Sequence, residues 1–328
     1  MDVPQKQQGD RPVPKPVRKK PLIKWQKPNV NVMYALIPAI IASVYFFGWR
    51  SLLMLAVVSA AGFLTEYLFL KAYYKEPVSS AVFVSCFLFT LSLPPTLPHW
   101  IAVVGIVFGI AFGKMAFGGF GRNIFNPALT GRAFIYISFG SPMTAAWVNH
   151  IGGGAGGFVQ FAADAVTQAT PMVQLSQGLE LSRISMFLGN EAGCLGETSA
   201  LLLLLGGIYI TYRRYASWRI VLSTFLGLII PQTVFWTFGI GNALDPLSAI
   251  IGGGFMMGAW FMTTDPVSAS QTNTGRWIYG AFIGAVTVLI RTFSIWSGGM
   301  MFAILLGNMF APIIDYYVRQ SKSKEAVK

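Results

Sequence analysis

Runs of apolar residues cover most of this chain, and their length limits the possible folds more than any other feature. Of 328 residues, 54% are hydrophobic and only 11% are charged, whereas soluble domains usually carry about 25% charged residues. A helix needs roughly 20 apolar residues to cross a bilayer, and several runs here approach that length. We therefore predict an all-α integral membrane protein.

Ten stretches have this character, and we predict one transmembrane helix in each. The third, fifth and eighth are short or are interrupted by Gly or Pro. The ten stretches lie at about 31–48, 51–70, 78–94, 99–117, 123–140, 198–212, 217–237, 246–264, 276–292 and 296–318. The chain then divides into a basic tail (1–30), a first transmembrane half (31–140), a Gly-rich and non-helical loop (141–197), a second transmembrane half (198–318) and a short basic tail (319–328).

Basic residues are distributed unevenly between the two sides that these spans define. With both termini in the cytoplasm, the tails and inner loops hold twenty Lys and Arg residues, whereas the outer side holds Arg50, Arg183 and Arg291. Cytoplasmic loops of membrane proteins carry such an excess. We therefore expect a multi-pass protein of a bacterial or archaeal inner membrane, with loop 141–197 outside. The net charge of +12 indicates contact with anionic lipid rather than with nucleic acid, because it lies in tails and short loops.

Two pairs of short motifs suggest an internal repeat. Phe89–Pro95 closes the third span and Phe261–Pro266 closes the eighth, while Asn123–Pro127 opens the fifth and Asn308–Pro312 lies in the tenth. Each half would hold five helices, and an odd number makes the two halves inverted relative to each other. Inverted repeats with broken helices commonly build a central site. We therefore predict two inverted five-helix repeats.

The sequence offers no pattern for hydrolytic or metal chemistry. Its two cysteines, Cys86 and Cys194, have no His, Cys or carboxylate at ligand spacing, and its two histidines lie in predicted loops. We therefore assign no catalytic residue, no metal ligand, no iron–sulfur cluster and no disulfide.

The segment Asp164-Ala165-Val166-Thr167-Gln168-Ala169-Thr170 offers a different chemistry. Thr170 has a small neighbour and precedes Pro171, and Gly residues fill 152–154 and 156–157 of the same loop. Gly allows the backbone to approach a bound cofactor closely. Such a threonine suits covalent modification, although on these residues alone an ordinary loop that turns before Pro171 is the better explanation.

Residues at two predicted helix starts also leave alternatives open. Asn123 and Asn126 would share a face if helical, but Asn126 before Pro127 is also a common start signal for a helix. Glu197, with Thr198 after it, is favoured near the start of the sixth helix by the helix dipole. It would equally serve to position a cofactor or a proton near loop 141–197.

The segment 164–170 resembles the flavin attachment motif Asp-x-x-(Ser/Thr)-Gly-Ala-Thr. That motif occurs in the D subunit of the Rnf ferredoxin:NAD+ oxidoreductase complex and the B subunit of the Na+-translocating NADH:quinone reductase. This chain departs from it at Gln168, where the family often has Gly. Further stretches that resemble the family lie at 118–129, 196–199, 262–267 with 275–276, and 308–315.

The resemblance implies an electron carrier fixed in the membrane. It implies FMN esterified through its phosphate to Thr170, with Asp164, Thr167 and Ala169 flanking the acceptor. Asn123 and Asn126 would line a second, non-covalent flavin pocket, with riboflavin as the candidate ligand. Glu197 and Thr198 are the middle residues of a Gly-Glu-Thr-Ser sequence that resembles the start of the sixth span in this family.

Chain length favours the Rnf D subunit over the reductase B subunit, which usually has a longer N-terminal region. The partners implied are the A, B, C, E and G subunits of the Rnf complex, a flavin transferase, and ferredoxin and NAD acting through other subunits, coupled to Na+ or H+ transport. Two other classes stay open: a small-solute channel or transporter without flavin, and a structural membrane anchor.

Overall fold

The computed structural model describes residues 21–145, 147–151, 155–163, 169–179, 181–197, 199–294 and 298–326, and within these it is predominantly helical. The fourteen α-helices are α1 (Lys27–Phe47), α2 (Arg50–Phe69), α3 (Ala81–Leu91), α4 (His99–Gly113), α5 (Pro127–Ser138), α6 (Gly140–Thr144), α7 (Pro171–Ser176), α8 (Arg183–Leu188), α9 (Ala200–Tyr212), α10 (Trp218–Thr237), α11 (Pro246–Ile251), α12 (Phe255–Met257), α13 (Asn273–Phe293) and α14 (Met300–Ala326). Wider π-helical turns extend α2 over Leu70–Tyr74 and α12 over Gly258–Met262, and 3₁₀ turns lie at Met115–Phe117 and Gly156–Val159.

Five of the described helices are long and apolar enough to cross a membrane, which confirms the membrane class. These spans are Lys27–Phe47, Arg50–Tyr74, His99–Phe117, Trp218–Thr237 and Met300–Lys324. Ala81–Leu91 and Ala200–Tyr212 are apolar but shorter. Each of the ten predicted stretches contains at least one helix.

The third, fifth and eighth stretches are short or interrupted, as predicted. Helices α3 and α5 have only 11 and 12 residues. The eighth stretch is divided into α11 and α12 by the turn Gly252–Gly254, in which Gly253 and Gly254 have φ values of 62° and 67°. Side chains disfavour that left-handed conformation, so consecutive glycines are what allow the helix to break here.

Two parts of the predicted organisation were wrong. Loop 141–197 was expected to be non-helical, but it contains α7, α8 and a 3₁₀ turn, because Pro171 and Ser182 provide local helix starts. The N-terminal tail was expected to extend to residue 30. Instead, strand Ile23–Lys24 pairs in parallel with Val78–Ser79, and α1 begins at Lys27.

Small residues bring the long helices together. Helices α10 and α13 make the most extensive helix contact, and Gly227 and Gly284 lie in it directly against the facing backbone. A Cβ atom at Gly284 would collide with the carbonyl oxygen of Thr224. Within a membrane, where lipid is as apolar as leucine, such close backbone packing is a main source of helix association.

The bundle has two distinct ends. The loop end carries the described residues between 139 and 199 (loop 139–199), which are tied to the helices by backbone hydrogen bonds such as Arg50 N to Phe161 O (2.7 Å) and Leu195 N to Leu93 O (3.0 Å). The sheet end carries the two short strands. Successive long segments run from one end to the other, so residues distant in sequence meet at each end.

Candidate functional site

Thr170 lies at the loop end. Hydrogen bonds from Gln174 fix the backbone around it, whereas its hydroxyl group makes no hydrogen bond to the described residues. It precedes α7, but its side chain does not cap that helix. Gln174 donates from its backbone N–H to Thr170 O (3.0 Å) and from Nε2 to Ala169 O (2.6 Å). Thr170 Oγ1 is buried, and among the residues that the structure describes it has no hydrogen-bond partner. Since a buried hydroxyl without a partner is costly, this atom is a candidate for chemistry that the free chain leaves unfinished.

Most other residues of the predicted acceptor motif lie beyond the part of the chain that the structure describes. Asp164, Thr167 and Gln168 are outside the described residues, and so is Thr198. Ala169 is exposed and contributes its carbonyl to the Gln174 contact. Gln174 was not identified from the sequence, since a glutamine five residues after Ala169 carries no signal by itself.

Thr170 lines a cavity of about 480 Å³ between loop 139–199 and the helices α5, α11 and α14. Ligand pockets of proteins occupy roughly 300–1,000 Å³ and are mostly apolar with a few polar groups. The walls here follow that pattern. Apolar side chains include Leu129, Met143, Met186, Met262, Met300, Met301 and Phe302.

One wall of the cavity is the glycine turn that breaks the eighth stretch. Arg291 holds this turn from behind, donating to the carbonyls of Ala249 (2.6 Å), Gly252 (3.1 Å) and Gly253 (3.0 Å). The turn has no side chains of its own to fill the cavity. Met172 of α7 lies against it, since a Cβ atom at Gly252 would come within 2.6 Å of Met172 Sδ. The short helix after Thr170 is therefore packed on the broken helix.

Arg132 and Glu197 bring opposite charges to the cavity wall. Arg132 Nη1 lies 3.6 Å from Glu197 Oε1, and the two side chains are 17% and 10% exposed. Arg132 also contacts Cys194 Sγ at 3.6 Å, while its Nε has no hydrogen-bond partner. The Glu197 carboxylate lies beside Gly254, where a Cβ atom would come within 2.6 Å of Oε2.

The structure shows where Glu197 lies relative to α9 and to the cavity. Ser199, rather than Glu197, caps α9 by accepting the Leu202 N–H (3.4 Å). Glu197 instead faces the cavity that Thr170 lines. Arg132 was missed as a site residue, although an arginine inside a predicted span is a signal of function.

Burial alters the acid–base behaviour of loop residues at the cavity. It raises the pKa of the Cys194 thiol well above its usual range, and the neighbouring Glu197 carboxylate raises that pKa further. Burial also raises the pKa of Glu191, although the charge of His150 opposes the shift. Cys194 is therefore a neutral thiol at ordinary pH.

Asn123 and Asn126 lie at the sheet end, apart from the cavity that Thr170 lines. Asn126 caps α5, accepting the N–H groups of Ala128 (3.0 Å) and Leu129 (3.5 Å). Asn123 lies before the helix and donates to Phe125 O (3.0 Å), so the idea of a shared helical face was wrong.

A second cavity, of about 730 Å³, opens at this end and is lined by Asn123 and Asn308. Asn308 Oδ1 accepts the Asn126 N–H (3.1 Å), and Asn308 Nδ2 donates to Tyr279 Oη (2.8 Å) and to Ser268 O (3.3 Å). The two asparagine motifs predicted as a repeat therefore meet in space. Asp315 lines the same cavity and accepts bonds from Ser270 and the 271–272 backbone.

A buried ion pair also lies at the sheet end. Lys114 Nζ is 2.6 Å from Glu66 Oε2, and the two side chains are 2% and 1% exposed. Glu66 Oε1 accepts the Ser79 N–H at 3.3 Å, which ties α2 to the second strand. Lys71 is closer to Glu66 in sequence, but the ion pair is formed with Lys114. Only the packing of α2 against α4 brings Lys114 within reach.

The chain matches a known protein family over almost its whole length. A family model described as the NQR2, RnfD, RnfE family covers residues 17–324. The Na(+)-translocating NADH-quinone reductase B subunit of Haemophilus influenzae is 43% identical over 265 residues, which are 75% of this chain and 61% of that protein.

Proteins of the same name in two other bacteria are similarly close. The Yersinia pestis protein is 40% identical over 294 residues, covering 84% of this chain and 70% of its own length. The Neisseria meningitidis protein is 42% identical over 258 residues, covering 76% and 62%. The chain spans about three fifths of the length of the first curated relatives it matches.

Proposed function

The chain belongs to the NQR2, RnfD, RnfE family, and on that basis we propose that it is a flavin-carrying membrane subunit of an ion-translocating electron-transport complex. The relatives named above are B subunits of a Na(+)-translocating NADH-quinone reductase. Their identity over most of this chain favours the B-subunit alternative over the Rnf D subunit that chain length suggested. NADH, quinone and Na+ are accordingly the proposed donor, acceptor and transported ion of the whole complex.

The buried, unpartnered Thr170 hydroxyl carries this proposal. A phosphoester between Thr170 Oγ1 and FMN would give that oxygen a covalent partner and place the flavin in the cavity. A flavin transferase acting on a flavin dinucleotide would break the donor's pyrophosphate bond. The threonine oxygen would then replace the released nucleoside monophosphate, and the hydroxyl proton would leave to the transferase. Bound FMN supplies the electron-transfer chemistry, while the protein orients and tunes it.

The residues of this chain fit such a group. The side-chain-free turn Gly252–Gly254 lets a planar ring approach the backbone, and the apolar wall that includes Met300 and Phe302 excludes water. Gln174 holds the acceptor backbone through Ala169 and Thr170. The cavity volume of about 480 Å³ lies in the range of cofactor pockets.

Burial of the acceptor sets an order of events. A transferase cannot reach Thr170 Oγ1 while α7 lies on the glycine turn, with Met172 against Gly252. Attachment therefore requires α7 to be displaced, as in a chain whose loop has not yet closed. This order places flavin loading before the final packing of loop 139–199.

We further propose ten membrane crossings arranged as two inverted halves, with both termini cytoplasmic and the loop end external. The packing of the helices supports this arrangement. Helix α2 packs on α3 and α4, and α4 on α5; in the second half α10 packs on α11 and α13, and α13 on α14. These are corresponding pairs, and α1 meets α9 where the halves join.

The second cavity is the proposed site of a non-covalent flavin such as riboflavin. Asn123 lines it, and its side-chain amide provides the kinds of donor and acceptor that a flavin ring edge requires. Asn126 supports this site indirectly, because its backbone N–H donates to Asn308 Oδ1 and its side chain caps the start of α5.

Intact mass measurement tests the main proposal. The chain is produced with a flavin transferase and compared with Thr170→Ala, and in-gel flavin fluorescence is recorded under denaturing conditions. We expect a mass increase of one FMN that disappears in Thr170→Ala. Thr144→Ala is the matched control, because Thr144 lines the same cavity but its hydroxyl already donates to Gly140 O (2.8 Å).

The same experiment separates this proposal from the other classes. A channel or transporter would carry no covalent flavin. If the chain were only a structural anchor, the Thr170→Ala variant would support electron transfer as well as the wild-type chain does. An unmodified wild-type mass in the presence of an active transferase would show that Gln168 disables the acceptor motif.

A further inference from the structure

Arg132 is a cationic side chain that the proposed attachment of flavin does not use. It lies in the middle of α5, and among the described residues that line the Thr170 cavity it is the sole Lys or Arg. A cation at this depth in a membrane protein is costly unless other groups compensate for it. Its presence in the wall therefore requires a reason.

The compensation that Arg132 receives from the chain is incomplete. The closest approach to Glu197 is 3.6 Å, beyond a normal charged hydrogen bond of about 2.7–2.9 Å. Cys194, which Arg132 also contacts, is a neutral thiol, Tyr136 is a neutral phenol nearby, and Nε has no partner among the described residues. Glu191, the other described carboxylate that lines the cavity, interacts with His150.

Arg132 and Thr170 are therefore two unsatisfied groups in the wall of one cavity. Guanidinium presents five N–H donors in a rigid plane that matches the oxygens of phosphate or of a carbonyl edge. Charged hydrogen bonds of this type are about twice as strong as neutral ones. A ligand with a negative charge would complete the bonds that Glu197 leaves unmade.

We infer that Arg132 binds the negative charge of the flavin nucleotide in this cavity. This inference rests on the proposed function and deepens it by naming the group that recognises the ligand's charge. Two parts of the nucleotide can supply that charge: the phosphate, which is charged always, and the ring, which is charged only after reduction. The test has one arm for each source.

The first arm measures non-covalent binding. The full-length Thr170→Ala chain is titrated with FMN and with riboflavin, and binding is followed by quenching of flavin fluorescence. The change caused by substituting Arg132 is scored, because flavin in the second cavity would contribute equally in every variant. A charged hydrogen bond contributes about 1.5–3 kcal/mol. If Arg132 holds the phosphate, FMN should therefore bind roughly ten- to a hundredfold more tightly than riboflavin. Arg132→Gln should abolish that preference and Arg132→Lys should retain part of it.

The second arm measures the midpoint potential of flavin attached to Thr170 in the assembled complex. If Arg132 holds the reduced ring, Arg132→Gln should weaken binding of the reduced form and lower the potential. The expected shift is about 30 mV for each tenfold loss, for a two-electron couple. The amount of attached flavin should then stay unchanged.

Two controls separate binding from a structural role. Arg183→Gln removes an arginine at the loop end that is 59% exposed and pairs with Asp245 at 3.4 Å, outside the cavity. It should change neither readout. Glu197→Gln breaks the ion pair but leaves the guanidinium, so it should keep or strengthen the preference for FMN.

The inference is overturned if Arg132→Gln and Arg132→Lys, eluting as folded protein, change neither the FMN preference nor the potential. It is also overturned if Glu197→Gln reproduces the loss seen in Arg132→Gln, because Arg132 would then act only through that pair. A wild-type chain without covalent flavin refutes the proposed attachment at Thr170. The first arm would still report on Arg132, because it does not depend on attachment.

Discussion

The buried pair Lys114–Glu66 gives a stability prediction that depends on tertiary packing alone. The charged atoms lie 2.6 Å apart, with side chains 2% and 1% exposed. At an effective dielectric constant of about 20, Coulomb attraction at that separation is about 6 kcal/mol. Desolvation of both ions offsets most of it, so the pair as a whole contributes little net stability. Removal of one partner leaves the other charge buried and alone.

We therefore predict very different costs for single and double substitutions. Lys114→Met and Glu66→Gln should each lower the free energy of unfolding by about 3–5 kcal/mol. The double variant should lie within about 2 kcal/mol of wild type, because no buried charge remains. In Glu66→Gln the new amide oxygen can still accept the Ser79 N–H, which Glu66 Oε1 accepts at 3.3 Å in the wild-type chain.

The assay is equilibrium unfolding of the purified chain in mixed detergent micelles, with all variants at one pH and micelle composition. The matched control is Arg183→Met, which breaks the largely exposed pair with Asp245. Surface pairs contribute about 0–1 kcal/mol, so this change should have a small effect. If Lys114→Met were no more costly than Arg183→Met, or the double variant were worse than both single variants together, the argument from burial would be refuted.

Three further predictions test the cavity and the sheet end. Gly254→Ala should lower both the extent of flavin loading and the melting temperature. The φ angle of Gly254 is 67°, which side chains disfavour, and the new Cβ atom would meet the Glu197 carboxylate at 2.6 Å. Flavin loading equal to that of the wild-type chain would contradict this. Cys194 in the folded chain should react with iodoacetamide at pH 8 at least about tenfold more slowly than in the denatured chain, because its raised pKa leaves little thiolate. Mass spectrometry of timed samples measures the reaction rate, and this rate should increase as the pH rises. Asn308→Ala should cost about 1–3 kcal/mol of stability in the same unfolding assay, because it leaves the buried Asn126 N–H and Tyr279 hydroxyl without their partner; a cost no larger than that of Arg183→Met would contradict this.

Features that arise from local chemistry were predictable before the fold was known. Asn126 before Pro127 indicated a capped helix start, and the cap is present with both expected N–H contacts. Gly252–Gly254 indicated an interrupted span, and the helix is broken there. Such features depend on one residue and its immediate neighbours, so the chain order alone specifies them.

The site residues that sequence reasoning missed depend on contacts between distant segments. Arg132 was seen only as a charge within a span, because its meaning comes from Glu197, Cys194 and the cavity they share. Glu66 pairs with Lys114 rather than with Lys71, which is closer in sequence, and only the packing of α2 against α4 determines this. The sequence also did not show that Asn123 and Thr170 lie at opposite ends of the helix bundle, because this depends on how the helices pack.

The order of residues is enough to specify the membrane class, the helical spans, the interruption of the eighth span and the family. These follow from apolar length, helix-start chemistry and ordered motifs along the chain. The packed fold was needed to show that Thr170 Oγ1 is buried without a partner, that Arg132 and the glycine turn line the same cavity, and that Lys114 neutralises Glu66. The physical reason is that burial and charge pairing are properties of the space between helices, which is set by how close their small residues let them pack.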